Sequence, residues 1–233
     1  MTRLCLDYGH GGTDPGAVYK GRKEADDVLS IGKAVAAEIR RHGITVDETR
    51  TTDKTVSLRE RSNFENRKKY DYFISFHRNA YQPEKAQGVE TYTYVNTGTK
   101  SKSMAAKIQT ELVKVGFTNR GVKAANFHVL RETKAPAVLM EIGFIDNISD
   151  NRLLDAKKQQ VITGIARAIL AQVGVSYKAA ASKPADPAKP ASSSTSARYR
   201  VMAGSFADKS NAERQVVRLK KAGFDAVIIV SHP

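Results

Sequence analysis

The sequence predicts an α/β fold with largely parallel strands, and three observations carry that expectation. Short apolar runs alternate with longer segments of helical periodicity. A glycine-rich turn, GHGGTDPGA, directly follows the first apolar run. Polar residues with useful chemistry stand at the ends of three runs, which is where ligands gather in open α/β sheets.

Arg3 to Tyr8 reads as the first strand. From Glu24 to Arg41 the apolar positions Val28, Ile31, Val35 and Ile39 recur at helical spacing. A second strand is expected over Ile44 to Thr49 and a helix over Ser57 to Lys69. Strands follow near Tyr72 to Phe76 and Val89 to Val95, then a helix from Ser101 to Val115 and a strand near Phe127 to Leu130. Ala137 to Glu141 is the last short strand, and Lys157 to Val173 the closing amphipathic helix. No internal repeat is present.

Residues 176–197 are rich in Ala, Pro, Ser and Lys and nearly devoid of large apolar side chains. Such a stretch cannot offset its ordering entropy by burial, so a flexible linker is expected there. It separates a domain over 1–175 from a piece over 198–233. That piece reads as strand, helix, strand: YRVMAGSF, NAERQVVRLKKAGF, DAVIIV.

The formal charge of +14 draws the protein toward polyanions. Nucleic acid, anionic membrane and anionic wall polymers all qualify. The single cysteine, Cys5, excludes an intramolecular disulfide and lies in an apolar run where a buried thiol is expected. No apolar stretch is long enough to span a membrane. The chain enters its first strand at once, without a secretory h-region, so synthesis in the cytoplasm and release by another agent are expected.

His10 follows the run RLCLDYG, His77 follows YFISF, and Glu141 follows AVLM. If the strands run parallel, all three reach one edge of the sheet. Glu24 joins them, because it lies one turn before Val28 on the buried stripe. Two imidazoles and a carboxylate suit a catalytic zinc, which keeps a fourth position for water. A second carboxylate, Glu141, would then move the proton. Each residue also has an ordinary alternative. A histidine after a strand can be a hydrogen-bonded turn residue, Glu24 can favour a helix N-terminus, and Glu141 can be half of a buried ion pair. The separations match no compact motif such as HExxH.

The segments DYGHGGTDPGA, SFHRNA and PAVLMEIGFIDN, in this order, resemble the signature blocks of the N-acetylmuramoyl-L-alanine amidase family known as Amidase_3. SLRERSNFEN and FHVLRETKAP resemble intervening blocks, and the likeness runs from Thr2 to Gly174. It implies a zinc ion held by His10, Glu24 and His77, with Glu141 as the catalytic carboxylate. It also implies a twisted, mostly parallel mixed sheet flanked by helices, acting on peptidoglycan. Arg78 stands where a small residue is commoner and His128 where an aromatic often sits, so both are candidates for tuning substrate choice. His42 and His232 are expected to be solvent-exposed bystanders.

The C-terminal piece resembles the first half of a SPOR repeat, a module associated with binding glycan strands of peptidoglycan. So short a βαβ unit has little core of its own. Homodimerisation through this tail would complete one four-stranded sheet.

Two other functions are compatible with the residues. A zinc peptidase acting within the stem peptide would use the same metal logic. A basic nucleic-acid-binding protein, with the tail as half of an RRM-like sheet, would explain the charge. Against the latter, Tyr199 and Phe206 are the only aromatics near the tail's first strand, and the glycine loop lacks a GK[ST] ending.

Overall fold

The computed structural model describes residues 2–179, 206, 208–221 and 228. The chain divides into two compact units, Met1–Ala180 and Ala181–Pro233.

In the first unit the elements are β1 (Arg3–Tyr8), β2 (Val18–Tyr19), β3 (Arg22–Lys23), α1 (Glu24–Arg41), β4 (Thr45–Glu48), α2 (Leu58–Asn66), β5 (Tyr72–Asn79), β6 (Val89–Tyr94), α3 (Thr99–Val115), β7 (Asn119–Ala125), α4 (His128–Arg131), β8 (Ala137–Phe144) and α5 (Ile148–Gln172). Six strands form one sheet in the order β4-β1-β5-β8-β6-β7, and β2 pairs with β3 in a small hairpin. The pairs β1–β4, β1–β5, β5–β8 and β6–β7 are parallel, while β6 runs antiparallel to β8. The sheet is therefore mixed and mostly parallel.

Side chains alternate across a strand, so the sheet has two apolar faces. Leu4, Leu6, Tyr8, Ile74, Phe76, Val138, Met140 and Ile142 pack against α1, α3 and α5 in the larger core. On the other face Cys5, Phe73, Ala137 and Leu139 meet Val129 and Leu130 of α4 in a smaller one. Burial, followed by nearby carboxylates led by Asp7, pushes the Cys5 thiol far up and keeps it protonated. α1 forms because its apolar stripe lies on one side: Ala25, Val28, Ile31, Val35, Ala36 and Ile39 are all buried. α2 begins at a capping box, in which Ser57 Oγ accepts from Glu60 N (3.3 Å) and Glu60 Oε2 accepts from Ser57 N (2.7 Å).

Several expectations need correction. Residues 127–130, expected as a strand, fall mostly in the one-turn helix α4, which uses Val129 and Leu130 to cover the smaller core. A short apolar run does not itself distinguish strand from helix. The strand in this region is β7, which periodicity missed because NRGVKAA is an edge strand with little buried surface. α5 starts nine residues earlier than expected (148 against 157), at Asn147, whose side chain accepts from Asp150 N at 3.1 Å. Its polar first turns and a non-helical Lys157 hide the helical period. His42 is half-buried rather than free in solvent. Its Nδ1 bonds Glu38 O (2.7 Å), its Nε2 accepts from Lys178 N (2.8 Å), and its ring lies 5.0 Å from that of Tyr177. Residues 176–178, expected in the linker, are thereby docked on the end of α1.

No described helix is long and apolar enough to cross a membrane. In the second unit α6 (Lys209–Lys221) occupies the expected helical segment. Apart from Phe206 and Ile228, the flanking strands expected at YRVMAGSF and DAVIIV fall outside the described residues, as do the linker beyond residue 179 and His232.

Arg78 on β5 is buried and ties three elements together on the larger-core face. It pairs with Asp27 of α1 (2.5 Å), with Asn151 Oδ1 of α5 (2.7 Å), and donates to Phe144 O (3.2 Å). This side chain braces the fold and does not line the site, which corrects the expectation of a role in substrate choice. Arg78→Met is expected to cost about 1–3 kcal/mol of stability, because it takes the donor from Asn151 Oδ1 and Phe144 O and leaves Asp27 with Arg22 alone. Urea unfolding at neutral pH measures this, and a loss under 1 kcal/mol would contradict it.

Candidate metal centre and active site

The site lies at the carboxyl ends of β1 and β5, where α1 begins. His10 follows β1 in a loop closed by paired backbone hydrogen bonds between Gly11 and Asp14. Its φ of 59° is a left-handed conformation that a side-chain-bearing residue seldom adopts. Two buried arginines hold the backbone there. Arg61 of α2 donates to Tyr8 O (2.6 Å) and His10 O (2.7 Å), and Arg50 donates to Tyr8 O (2.8 Å) and Gly9 O (2.8 Å). Three successive carbonyls are thus satisfied inside the protein, which offsets the cost of the unusual turn.

The structure brings His10, Glu24 and His77 together. One donor atom from each lies within 4.8 Å of the others, and this is the only such group of three or more among the described residues. Glu24 is the first residue of α1 and is buried. Its Oε1 stands 2.9 Å from His77 Nδ1 and 3.2 Å from His10 Nε2, and accepts from Arg78 N at 3.0 Å. Its Oε2 accepts from Ala17 N at 3.0 Å. Burial works to raise this carboxyl, but His10 and His77 together outweigh it and hold the group far below the usual carboxylate range.

The arrangement fits a metal. Asp14 Oδ2 lies 2.8 Å from His10 Nδ1, so a neutral ring donates its Nδ1–H to Asp14 and turns its Nε2 lone pair on Glu24 Oε1. Two acceptors 3.2 Å apart repel unless a proton or a cation lies between them. Glycines keep the pocket open. A Cβ at Gly9 would stand 2.3 Å from the His77 ring, and one at Gly16, where φ is +66°, would stand 2.7 Å from both Glu24 Oε2 and His10 Cδ2.

Glu141 is the cross-strand partner of His77, so both side chains lie on the smaller-core face. Its Oε2 is buried and has no hydrogen-bond partner among the described residues. Burial, then the neighbouring charges of Glu24 and Glu90, pushes its carboxyl well above the ordinary range. Both strands run further than apolar patterning indicated. β5 continues through His77 to Asn79, and β8 passes Glu141 to Phe144, so these two side chains are held by ladder geometry rather than by a loop.

The family model for N-acetylmuramoyl-L-alanine amidase matches residues 4–171, a span that contains every residue of this site. The chain belongs to that family. It is a peptidoglycan hydrolase of the amidase type, with a His-Glu-His metal-binding triad, and it acts on the cell wall. The amidase is 34% identical over 233 residues to the sporulation-specific N-acetylmuramoyl-L-alanine amidase of Bacillus subtilis (strain 168), covering 99% of this chain and 85% of the relative. It is 39% identical over 205 residues to the endolysin of Bacillus phage SPP1, covering 84% of this chain and 75% of that one. Among solved structures, the catalytic domain of CwlV from Bacillus (Paenibacillus) polymyxa var. colistinus is 31% identical with a TM-score of 0.70, covering 75% of this chain and 99% of that chain. A SPOR domain model matches residues 166–230, beginning inside α5.

Family membership decides against the nucleic-acid and stem-peptidase alternatives. His128 is outside the triad. It is half-buried in α4, with Nε2 3.2 Å from Ser62 Oγ of α2, and joins the two short helices over the smaller core. Sequence reasoning overlooked Asp14, Arg50 and Arg61. Asp14 was visible as the carboxylate four residues after His10, but a partner across the chain, such as Arg61 for the His10 carbonyl, carries no local signal.

Two predictions follow from the supports of this amidase site. Asp14→Ala is expected to weaken metal binding about 10–100-fold by freeing the His10 ring, as measured by competition with a chromogenic chelator. Unchanged affinity would show that Asp14 does not orient the ring. The second concerns Asp7, fully buried between Arg61 Nη1 (2.8 Å), Thr49 Oγ1 (2.6 Å) and Ser75 Oγ (2.7 Å). Burial raises its carboxyl, but Arg61 and the two hydroxyls outweigh that and lower it overall. A carboxyl depressed by folding adds stability above its unfolded pKa of about 3.9, and this is lost as pH falls through the folded value. The stability gap between wild type and Asp7→Asn should therefore be wide at pH 7 and shrink below about pH 4. A gap that urea unfolding finds constant with pH would remove the linkage.

Proposed function

We propose that the amidase holds a zinc ion through His10, Glu24 and His77, and that Glu141 moves the proton in hydrolysis of the bond between N-acetylmuramic acid and L-alanine. Zinc in a three-ligand site supplies a Lewis acid for the scissile carbonyl and lowers the pKa of a water from 15.7 to about 7. The observation that carries this reading is the convergence of two imidazole nitrogens and a carboxylate oxygen within 4.8 Å, with Glu141 paired directly to His77 in the sheet.

Each residue then has one task. Asp14 keeps the His10 Nε2 lone pair directed inward, and the amides of Ala17 and Arg78 orient the Glu24 carboxylate. Glu141 accepts a proton from the attacking water and returns it to the alanine nitrogen as the C–N bond breaks. The products are the lactyl carboxylate of the glycan and a free alanine amine. A carboxyl raised by burial suits that exchange, since proton transfer is most efficient when the group's pKa approaches the working pH.

We read residues 1–175, with 176–178 docked on it, as the catalytic domain, the remainder of 176–197 as a linker, and 198–233 as a SPOR-like unit that holds the enzyme on glycan strands. The SPOR match supports the last assignment. The charge of +14 supports attraction to anionic wall polymers.

The test is digestion of purified peptidoglycan with new amino-terminal alanine as the readout. A chelator should abolish its release, and added zinc should restore it. Glu141→Gln should lower kcat about 10²–10⁴-fold while the protein still binds one metal per chain. Cleavage indifferent to the chelator would refute the metal reading, and near-normal kcat in Glu141→Gln would refute the role of Glu141.

A further inference from the structure

A row of side chains crosses the sheet from the triad. His77 on β5 pairs with Glu141 on β8, and Glu141 pairs with Glu90 on β6. Directly opposed residues on adjacent strands share a face, so the three form one line. Beyond Glu90 the register shifts: Val89 pairs with Asn119 and Thr91 with Val122, leaving Arg120 and Gly121 opposite Glu90 alone. Such a bulge re-aims a side chain. Here Arg120 Nε reaches Glu90 Oε2 at 3.0 Å, and Lys123 Nζ bonds the same oxygen.

Glu90 is a hub of four donors. Asn79 Nδ2 and Tyr92 OH (2.8 Å) occupy Oε1, while the two cations share Oε2. The hub is only 3% exposed, whereas the side chains of Arg120 and Lys123 keep 35% and 39% exposure. One buried negative charge against two half-exposed positive ones leaves a net positive charge at the end of the row. The cations are also pinned: the Arg120 guanidinium lies 4.9 Å from the Phe144 ring centroid and Lys123 Nζ lies 6.0 Å from that of Tyr92. Glu90 takes only Nε of Arg120, and among the described residues the terminal nitrogens, the part that forks onto carboxylates, have no protein acceptor.

We infer that Arg120 and Lys123 form a specificity subsite for a free carboxylate of the stem peptide, one or two residues beyond the scissile bond. This rests on the reading of Glu141 above. Glu141 serves the alanine nitrogen, so the leaving peptide lies on the Glu141 side of the reacting carbonyl, and the row continues in that direction. Adjacent strands are about 5 Å apart, so charges tethered to Glu90 on β6 stand about 5–10 Å beyond β8. An extended peptide covers that in one to three residues. The first carboxylate within reach is that of a γ-linked glutamate following alanine, which is lost when that group is a carboxamide.

The experiment compares two soluble muramoyl peptides with the full chain, one carrying L-alanyl-γ-D-glutamyl-L-lysine amide and one L-alanyl-D-isoglutaminyl-L-lysine amide, so that the glutamate α-carboxylate is the one carboxylate that differs and no other is free. Wild type should favour the carboxylate about tenfold in kcat/KM, chiefly through KM. Arg120→Gln and Lys123→Gln, tested singly so that Glu90 keeps one cation, should each move that ratio toward one. Thermal melting checks that both fold. Equal kcat/KM of wild type on the two substrates would overturn the subsite, as would variants that keep the wild-type ratio. Glu141→Gln separates the two readings. If it retains turnover while the carboxylate preference persists, the role of Glu141 fails and the subsite stands.

Discussion

The Glu24 carboxylate is the group on which the rest of the site depends. It is buried at the first turn of α1, and its two oxygens meet the amides of Ala17 and Arg78 and the rings of His10 and His77. A buried charge is tolerated only with such partners. In satisfying itself, Glu24 links the start of the helix, the loop after β1 and the end of β5. The helix stripe that buries Val28 and Ile31 therefore also carries the carboxylate to the edge of the sheet.

Around it the protein spends arginines on backbone. Arg50 and Arg61 are almost wholly buried, and between them they satisfy the carbonyls of Tyr8, Gly9 and His10. Arg61 also neutralises Asp7 beneath the loop. Truncating one member of such a buried pair costs more than the pair contributes, because the remaining charge has no solvent. The left-handed His10 is held by this network, and small residues at Gly9 and Gly16 leave room for the rings. Rigid support of this kind is what a metal-binding constellation requires, since ligands displaced by a fraction of an ångström lose affinity.

The sheet does the remaining work by register. Parallel pairing of β5 with β8 sets His77 beside Glu141, and antiparallel pairing of β8 with β6 extends the line to Glu90. One face thus carries His77, Glu141 and the cation-bearing Glu90 in sequence. The opposite face, packed under α1, α3 and α5, supplies most of the apolar burial. Arg78 belongs to that second face although it neighbours His77 in sequence, because successive strand residues point in opposite directions.

Much of this is legible in the sequence. The stripe of α1 and the apolar runs of β1, β5 and β8 specify an α/β fold because periodicity reports directly on which side chains face a core. The four site residues were visible as polar groups at the ends of such patterns, and resemblance to a family selected them over their ordinary alternatives. Edge strand β7 and one-turn helix α4 were missed, since an element with little buried surface leaves little pattern. The grouping of Glu90 with Arg120 and Lys123, the anchoring of His10 by Arg61, and the bracing role of Arg78 were decided only by tertiary structure. These are contacts between residues 30 or more positions apart, made by charged side chains whose type resembles any solvated surface until the strands are set in register.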